Sequence, residues 1–109
     1  MVQYTPAIDQ GFSALSDPTR RGVLERLSRG PASITDLATV YGMTLTGMKK
    51  HVSVLEEAGL VTTEKIGRVR SCRLGPRRLE AERDWIEAYR QLVTDRLNRL
   101  GDLLERTRE

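Results

Sequence analysis

Cysteine is almost missing from this chain. Cys72 stands alone among 109 residues, so no intramolecular disulfide can form and too few thiolates exist for a cysteine-based structural zinc site. That usage fits a reducing cytoplasm. Histidine is as scarce, with His51 the single example. One His and one Cys, read as lying in different elements, leave no evident nucleophile–base pair, and no glycine-rich phosphate loop is present. The expectation is a protein that is not an enzyme and needs no cofactor and no metal. Aromatic residues make up 5%, so the core is aliphatic. No apolar run approaches the roughly 20 residues of a membrane-spanning helix. Asp9 and Asp17 interrupt the N-terminal apolar residues, and Arg20 and Arg21 follow rather than precede them, which is the wrong order for a signal peptide. The reading is one cytoplasmic domain over residues 1–109, with no membrane partner.

Charge is present and unevenly spread. The net value is only +3, but residues 1–78 carry twelve Lys/Arg against seven Asp/Glu, and residues 79–109 carry six against eight. Between Lys65 and Arg78 there are six basic residues and no acid. A local cationic concentration favours a polyanionic partner, although it decides nothing alone.

Apolar spacing organises the chain. Ile8, Phe12 and Leu15 predict a short first helix with one inner stripe. Asp17-Pro18 reads as a helix start, carboxylate cap followed by a residue whose φ is already set. Val23, Leu24 and Leu27 face inward, and Gly30-Pro31 stops that helix. Ser33 opens a third helix carrying Ile34, Leu37, Ala38 and Tyr41, closed at Gly42. Thr44 caps a fourth, in which Leu45, Met48, Val52 and Leu55 share a face and which Gly59 ends. Leu60–Ile66 and Val69–Leu74 are rich in Val, Thr and Ile around Gly67-Arg68, a β-hairpin. Residues 77–107 form a long charged helix with Leu79, Ile86, Tyr89, Val93, Leu97, Leu100 and Leu104 along one stripe. The order α-α-α-α-β-β-α, mainly α with a small hairpin wing, is that of a winged helix-turn-helix.

On a wheel of the fourth helix, Thr46, Lys50 and Ser53 point away from the apolar face, with Gly47 and Lys49 on its flanks. Short hydroxyls, a glycine and two lysines at the N-terminal half suit the major groove of double-stranded DNA, where a positive, slender face with donors and acceptors is needed. Taken alone, Lys49 and Lys50 read equally well as an ordinary solvated helix face. The turn and hairpin on either side favour DNA. The expected recognition-helix set is Thr44, Thr46, Gly47, Lys49, Lys50 and Ser53, and the expected wing set is Lys65, Arg68 and Arg70, contacting backbone. Arg73, Arg77 and Arg78 lie nearer the hairpin base.

With those residues in view, the chain resembles the ArsR/SmtB family of bacterial repressors. The resemblance rests on Asp17-Pro18-Thr19-Arg20-Arg21, on Lys50-His51-Val52-Ser53-Val54-Leu55-Glu56-Glu57-Ala58-Gly59-Leu60-Val61, and on Gly67-Arg68 at the wing tip. It implies a dimer built from the first and last helices that binds an inverted-repeat operator and represses. Relatives commonly carry Ser two positions before the His, where this chain has Lys49. Metal-sensing members place Cys in the third helix or His and carboxylates on the last. Here the third helix has no thiol and the last no His, so the metal-independent branch is the better match.

The long helix makes its own case for a second subunit. About 30 residues at 1.5 Å each span roughly 45 Å, more than a domain this size covers alone. The expected dimer interface is Ile8, Phe12, Trp85, Ile86, Tyr89, Val93, Leu97, Leu100 and Leu104. Trp85 and Tyr89, one turn apart, also suit an effector pocket, and a small-molecule effector stays open and unidentified. Cys72 reads as an inward-facing apolar residue, with a thiol switch near arginines as the less favoured role. A rival to DNA binding is a winged-helix protein-interaction module whose basic face meets an acidic protein; only with nucleic acid does counterion release give steep salt sensitivity.

Overall fold

The structure, a computed structural model, describes residues 6–108. It runs α1 (Pro6–Leu15), α2 (Pro18–Leu27), β1 (Ala32–Ser33), α3 (Ile34–Val40), α4 (Leu45–Glu57), β2 (Val61–Ile66), β3 (Val69–Leu74) and α5 (Glu80–Thr107). The mainly helical winged helix-turn-helix expected from sequence is the architecture observed.

Local chemistry sets the helix starts. Asp17 Oδ2 accepts from the Arg20 backbone N–H at 3.0 Å and Pro18 is the first helical residue. That hydrogen bond to Arg20 is the main reason the Asp17 carboxyl titrates below its ordinary value. Ser33 caps α3 through the Asp36 N–H, and Thr44 caps α4 through the Gly47 N–H, each at 3.0 Å. Each cap satisfies a donor that a helix N-terminus leaves without an internal partner.

The three helices α2, α3 and α4 close on an aliphatic core. Val23, Leu27, Ile34, Leu37, Met48, Val52, Leu55 and Val61 are all buried. From α1 the buried residues are the small Gly11 and Ala14, while Ile8, Phe12 and Leu15 are half-buried. Small residues let one helix lie close to its neighbours, which a stripe count of large residues misses. Leu45 departs further from expectation. It shares a side with Met48 but is 44% exposed, because it sits at the edge of the buried arc.

The hairpin is antiparallel, pairing Val61 with Leu74 and Ile66 with Val69 around Gly67, whose φ of 62° the tight turn requires. It is extended to a three-stranded sheet in the order β1-β3-β2. β1 pairs Ala32 with Cys72 and Ser33 with Ser71. The sequence reading has no counterpart to this strand. Cys72 therefore lies mid-sheet and fully buried, as its parity suggests, whereas Leu74 at the strand end is 47% exposed.

The described chain divides into two compact units, one ending at Leu79 and the other beginning at Glu80. The long helix starts at Glu80 rather than residue 77. The physical reason lies in the preceding residues. The Arg77 N–H donates to the Gly59 carbonyl at 3.2 Å, outside any helix, and Leu79 holds φ 64°, which breaks helical continuity. Leu79, expected on the stripe of that helix, packs instead against the core of the first unit. No helix among the described residues is long and apolar enough to cross a membrane.

Candidate nucleic-acid interface

The N-terminal half of α4 presents its polar residues to solvent. Thr44, Thr46, Lys49, Lys50 and Ser53 are exposed and Gly47 is half-exposed. Thr44 has a structural duty as well, since its Oγ1 is engaged by the Gly47 N–H. Gly47 does not make room for the preceding helix. A side chain there would meet Thr44 Oγ1 at 3.1 Å and the Met43 methyl at 3.3 Å, both in its own turn.

Beside this face the wing forms a furrow. A cleft of ≈ 710 Å³ is bounded by Leu45 and Lys49 from α4, by Thr35 and Asp36 from α3, and by Lys65, Arg68, Val69 and Arg70 from the wing. A smaller hollow of ≈ 350 Å³ shares Lys49 and Arg70 with it and adds Ser53, Glu56 and Thr63. The structure thus brings Lys49 and Ser53 of the expected helix set together with all three expected wing cations. Thr46 and Lys50 line neither hollow and look outward from the helix. Four cations against Asp36 and Glu56 give the furrow a positive field of the kind that attracts phosphates.

Wing and helix are held in register by a chain of polar contacts. Glu56 Oε2 accepts from the Thr63 hydroxyl at 2.7 Å and from the Thr63 backbone N–H at 3.1 Å. Arg70 Nη1 donates to Thr63 Oγ1 at 3.0 Å. Such exposed bonds are each worth about 1 kcal/mol or less, enough to bias a two-stranded hairpin that would otherwise sway. Behind α4, Arg20 anchors the other flank. Its Nε and Nη2 donate to the carbonyls of Ala14 and Ser13 at 3.0 and 2.8 Å, and its Nη1 lies 3.2 Å from His51 Nδ1. His51 Nδ1 also lies 3.9 Å from Asp17 Oδ2, so the ring brackets α4 against the first two helices.

Sequence reasoning missed the contribution of α3, whose first turn walls the furrow, and the apolar exposure of Ile66 (60%) and Val69 (52%) at the wing tip. The polar alternation of the strands carried a signal for the second. Nothing in the sequence carried one for the first. The thiol of Cys72 is not activated. Burial, reinforced by Glu56, pushes it up to about 11, and the opposing pull of Arg70 is smaller. Among the described residues no group of three or more His, Cys, Asp or Glu side chains converges as a metal site.

Fold and furrow together define a DNA-binding winged helix-turn-helix protein. The helix-turn-helix domain family matches residues 15–64. HTH-type transcriptional regulator Rv2034 of Mycobacterium tuberculosis is 34% identical over 93 residues, covering 78% of this chain and 87% of the relative. A crystal structure of an ArsR family transcriptional regulator superimposes with a TM-score of 0.77 at 41% identity, covering 86% of this chain and 97% of the other. The solution structure of a homodimeric winged helix-turn-helix DNA-binding domain from Mycobacterium bovis, a possible ArsR-family regulator, shares the fold. Its TM-score is 0.60 at 22% identity, over 87% of this chain and 91% of the other. The chain belongs to the ArsR/SmtB family of winged helix-turn-helix transcriptional regulators.

Proposed function

We propose that this regulator is a homodimeric cytoplasmic repressor of the metal-independent branch. It places α4 of each subunit in the major groove of an inverted-repeat operator and lays each wing along the adjacent backbone. Thr44, Thr46, Gly47, Lys49, Lys50 and Ser53 face the bases or their flanking phosphates. Lys65, Arg68 and Arg70 hold backbone and set register without reading sequence. The observation that carries the reading is the solvent-open, cationic furrow joining Lys49 to the three wing cations. No chemistry of bond making is involved.

A second copy is the occupant proposed for the apolar face of α5. Trp85, Ile86, Tyr89, Val93, Leu97, Leu100 and Leu104 are 38% to 62% exposed in one chain. Trp85 and Tyr89 stack with centroids 5.6 Å apart and planes at 2°, so a ready-made aromatic slab meets the partner. A contiguous face of this kind is costly to leave wet. Ile8 and Phe12 of α1 complete the proposed interface. The M. bovis neighbour described as homodimeric supports it.

The test is selection of bound sites from a random duplex pool. The expected motif is two-fold symmetric, with half-sites about 34 Å apart, one helical turn. Enrichment of no motif, or of an asymmetric one, overturns the dimeric operator reading.

A further inference from the structure

Leu45 is the first residue of α4, and the apolar spacing assigns it to one stripe with Met48, Val52 and Leu55. Those three are buried in the structure, whereas Leu45 is 44% exposed. Among the described residues of α4 it is the one large apolar side chain left open to solvent. A single exposed leucine is ordinary on a protein surface. Its place is what sets this one apart. It lines the cationic furrow beside Lys49, which stands one turn further along the same side of the helix, and it adjoins the exposed Thr46.

The position is fixed before any partner arrives. Thr44 Oγ1 accepts from the Gly47 N–H and the Thr44 carbonyl accepts from the Met48 N–H, each at 3.0 Å. One residue earlier, the Met43 N–H donates to the Ala38 carbonyl at 2.8 Å and ties the turn to α3. Leu45 hangs from the backbone that these bonds hold, so little freedom remains to be lost on binding.

Residues at the N-terminal end of a recognition helix are the ones that meet base edges. In the major groove the apolar group on offer is the C5 methyl of thymine; the other bases present donors and acceptors there, which a leucine would leave unpaired. We propose that Leu45 is a specificity-determining residue, its side chain packed against the C5 methyl of one thymine in each half-site. The assignment rests on the reading of α4 as the groove helix, and it adds an apolar base contact to the polar set already named. Val69, the other exposed apolar residue lining the furrow, belongs to the wing, which lies along the DNA backbone in that reading.

Deoxyuridine in place of thymine removes that methyl and nothing else. The duplex selected from the random pool is remade with deoxyuridine at each thymine in turn, in both half-sites together, and its affinity for the full chain is read by anisotropy. 5-Methylcytosine carries the same group, and a pool of unmodified DNA confines the test to thymine. Burying one methyl is worth about fourfold in affinity, so at one position the paired substitution should weaken a two-fold complex about fifteenfold. Leu45→Ala and Leu45→Gln should each bind the thymine and deoxyuridine duplexes alike at that position while keeping the parent's circular dichroism spectrum. Val69→Ala should discriminate as the parent does. If no thymine methyl matters to the unaltered protein, the Leu45 contact is overturned while the operator reading stands. Discrimination that survives both Leu45 variants, or that vanishes in Val69→Ala, overturns it as well. Enrichment of no motif overturns the operator reading and this contact with it.

Discussion

Arg68→Ala isolates what the wing does. Each subunit offers five cations on the proposed contact face, Lys49, Lys50, Lys65, Arg68 and Arg70, and a two-fold pair offers ten. If all ten neutralise phosphates, the logarithm of affinity falls against the logarithm of salt with a slope of about −9, at about 0.9 counterion per contact. Removing one cation per subunit takes away two contacts and brings the slope to about −7. Between about 50 and 200 mM salt the parent then weakens roughly 10⁵-fold and the variant roughly 10⁴-fold. Anisotropy of a labelled random duplex across that salt range reads both slopes directly. The substitution should lower affinity for every sequence alike, because a tip residue on backbone carries no base information. A variant slope equal to the parent's, or a loss confined to one operator sequence, refutes the reasoning.

Three further perturbations follow from the same geometry. Gly47→Ala gains about 1 kcal/mol of helix propensity but crowds Thr44 Oγ1, whose cap bond is worth about as much. Urea unfolding should therefore shift by less than about 1 kcal/mol while operator affinity drops, and a large stability change contradicts this. Val93→Glu puts a charge on the α5 face and should leave single subunits in light scattering with weakened operator binding; a mass still twice that of the chain removes α5 from the interface. Cys72 should react with iodoacetamide at pH 7.5 roughly 300-fold more slowly than a free thiol near 8.5, on ionisation alone. Because its folded value of about 11 lies above the unfolded one, the stability it contributes is complete below about pH 8.5 and is lost as pH rises to 11. That loss reaches at most about 3 kcal/mol, and Cys72→Ala should lack it.

Helix starts were the most legible part of this chain, because a cap is a short-range transaction. Asp17, Ser33 and Thr44 each use one side-chain oxygen on a donor three residues ahead, and sequence shows both partners. The hairpin was legible for the same reason: Gly67-Arg68 sits between two β-branched runs. What sequence hid was long-range. β1 is two residues long, too short for alternation to register, and its partner β3 lies about forty residues away. The start of α5 was placed three residues early because Leu79 fits the apolar period, and only its backbone torsion shows that it ends one unit instead of opening the next. For the interface, the wheel separated Thr46 and Lys50 from the core. That Lys49 faces the wing across a furrow walled by α3 is a fact of packing no wheel contains.

The Glu56–Thr63–Arg70 chain carries a lesson for anyone re-targeting this protein. Two of its three members belong to the wing and one to the last turn of α4. A chimera that imports a foreign α4 without a carboxylate at position 56 would leave Thr63 and Arg70 searching for new company, and the hairpin would swing. Helix and wing are therefore best transplanted as a single cassette ending at Leu74.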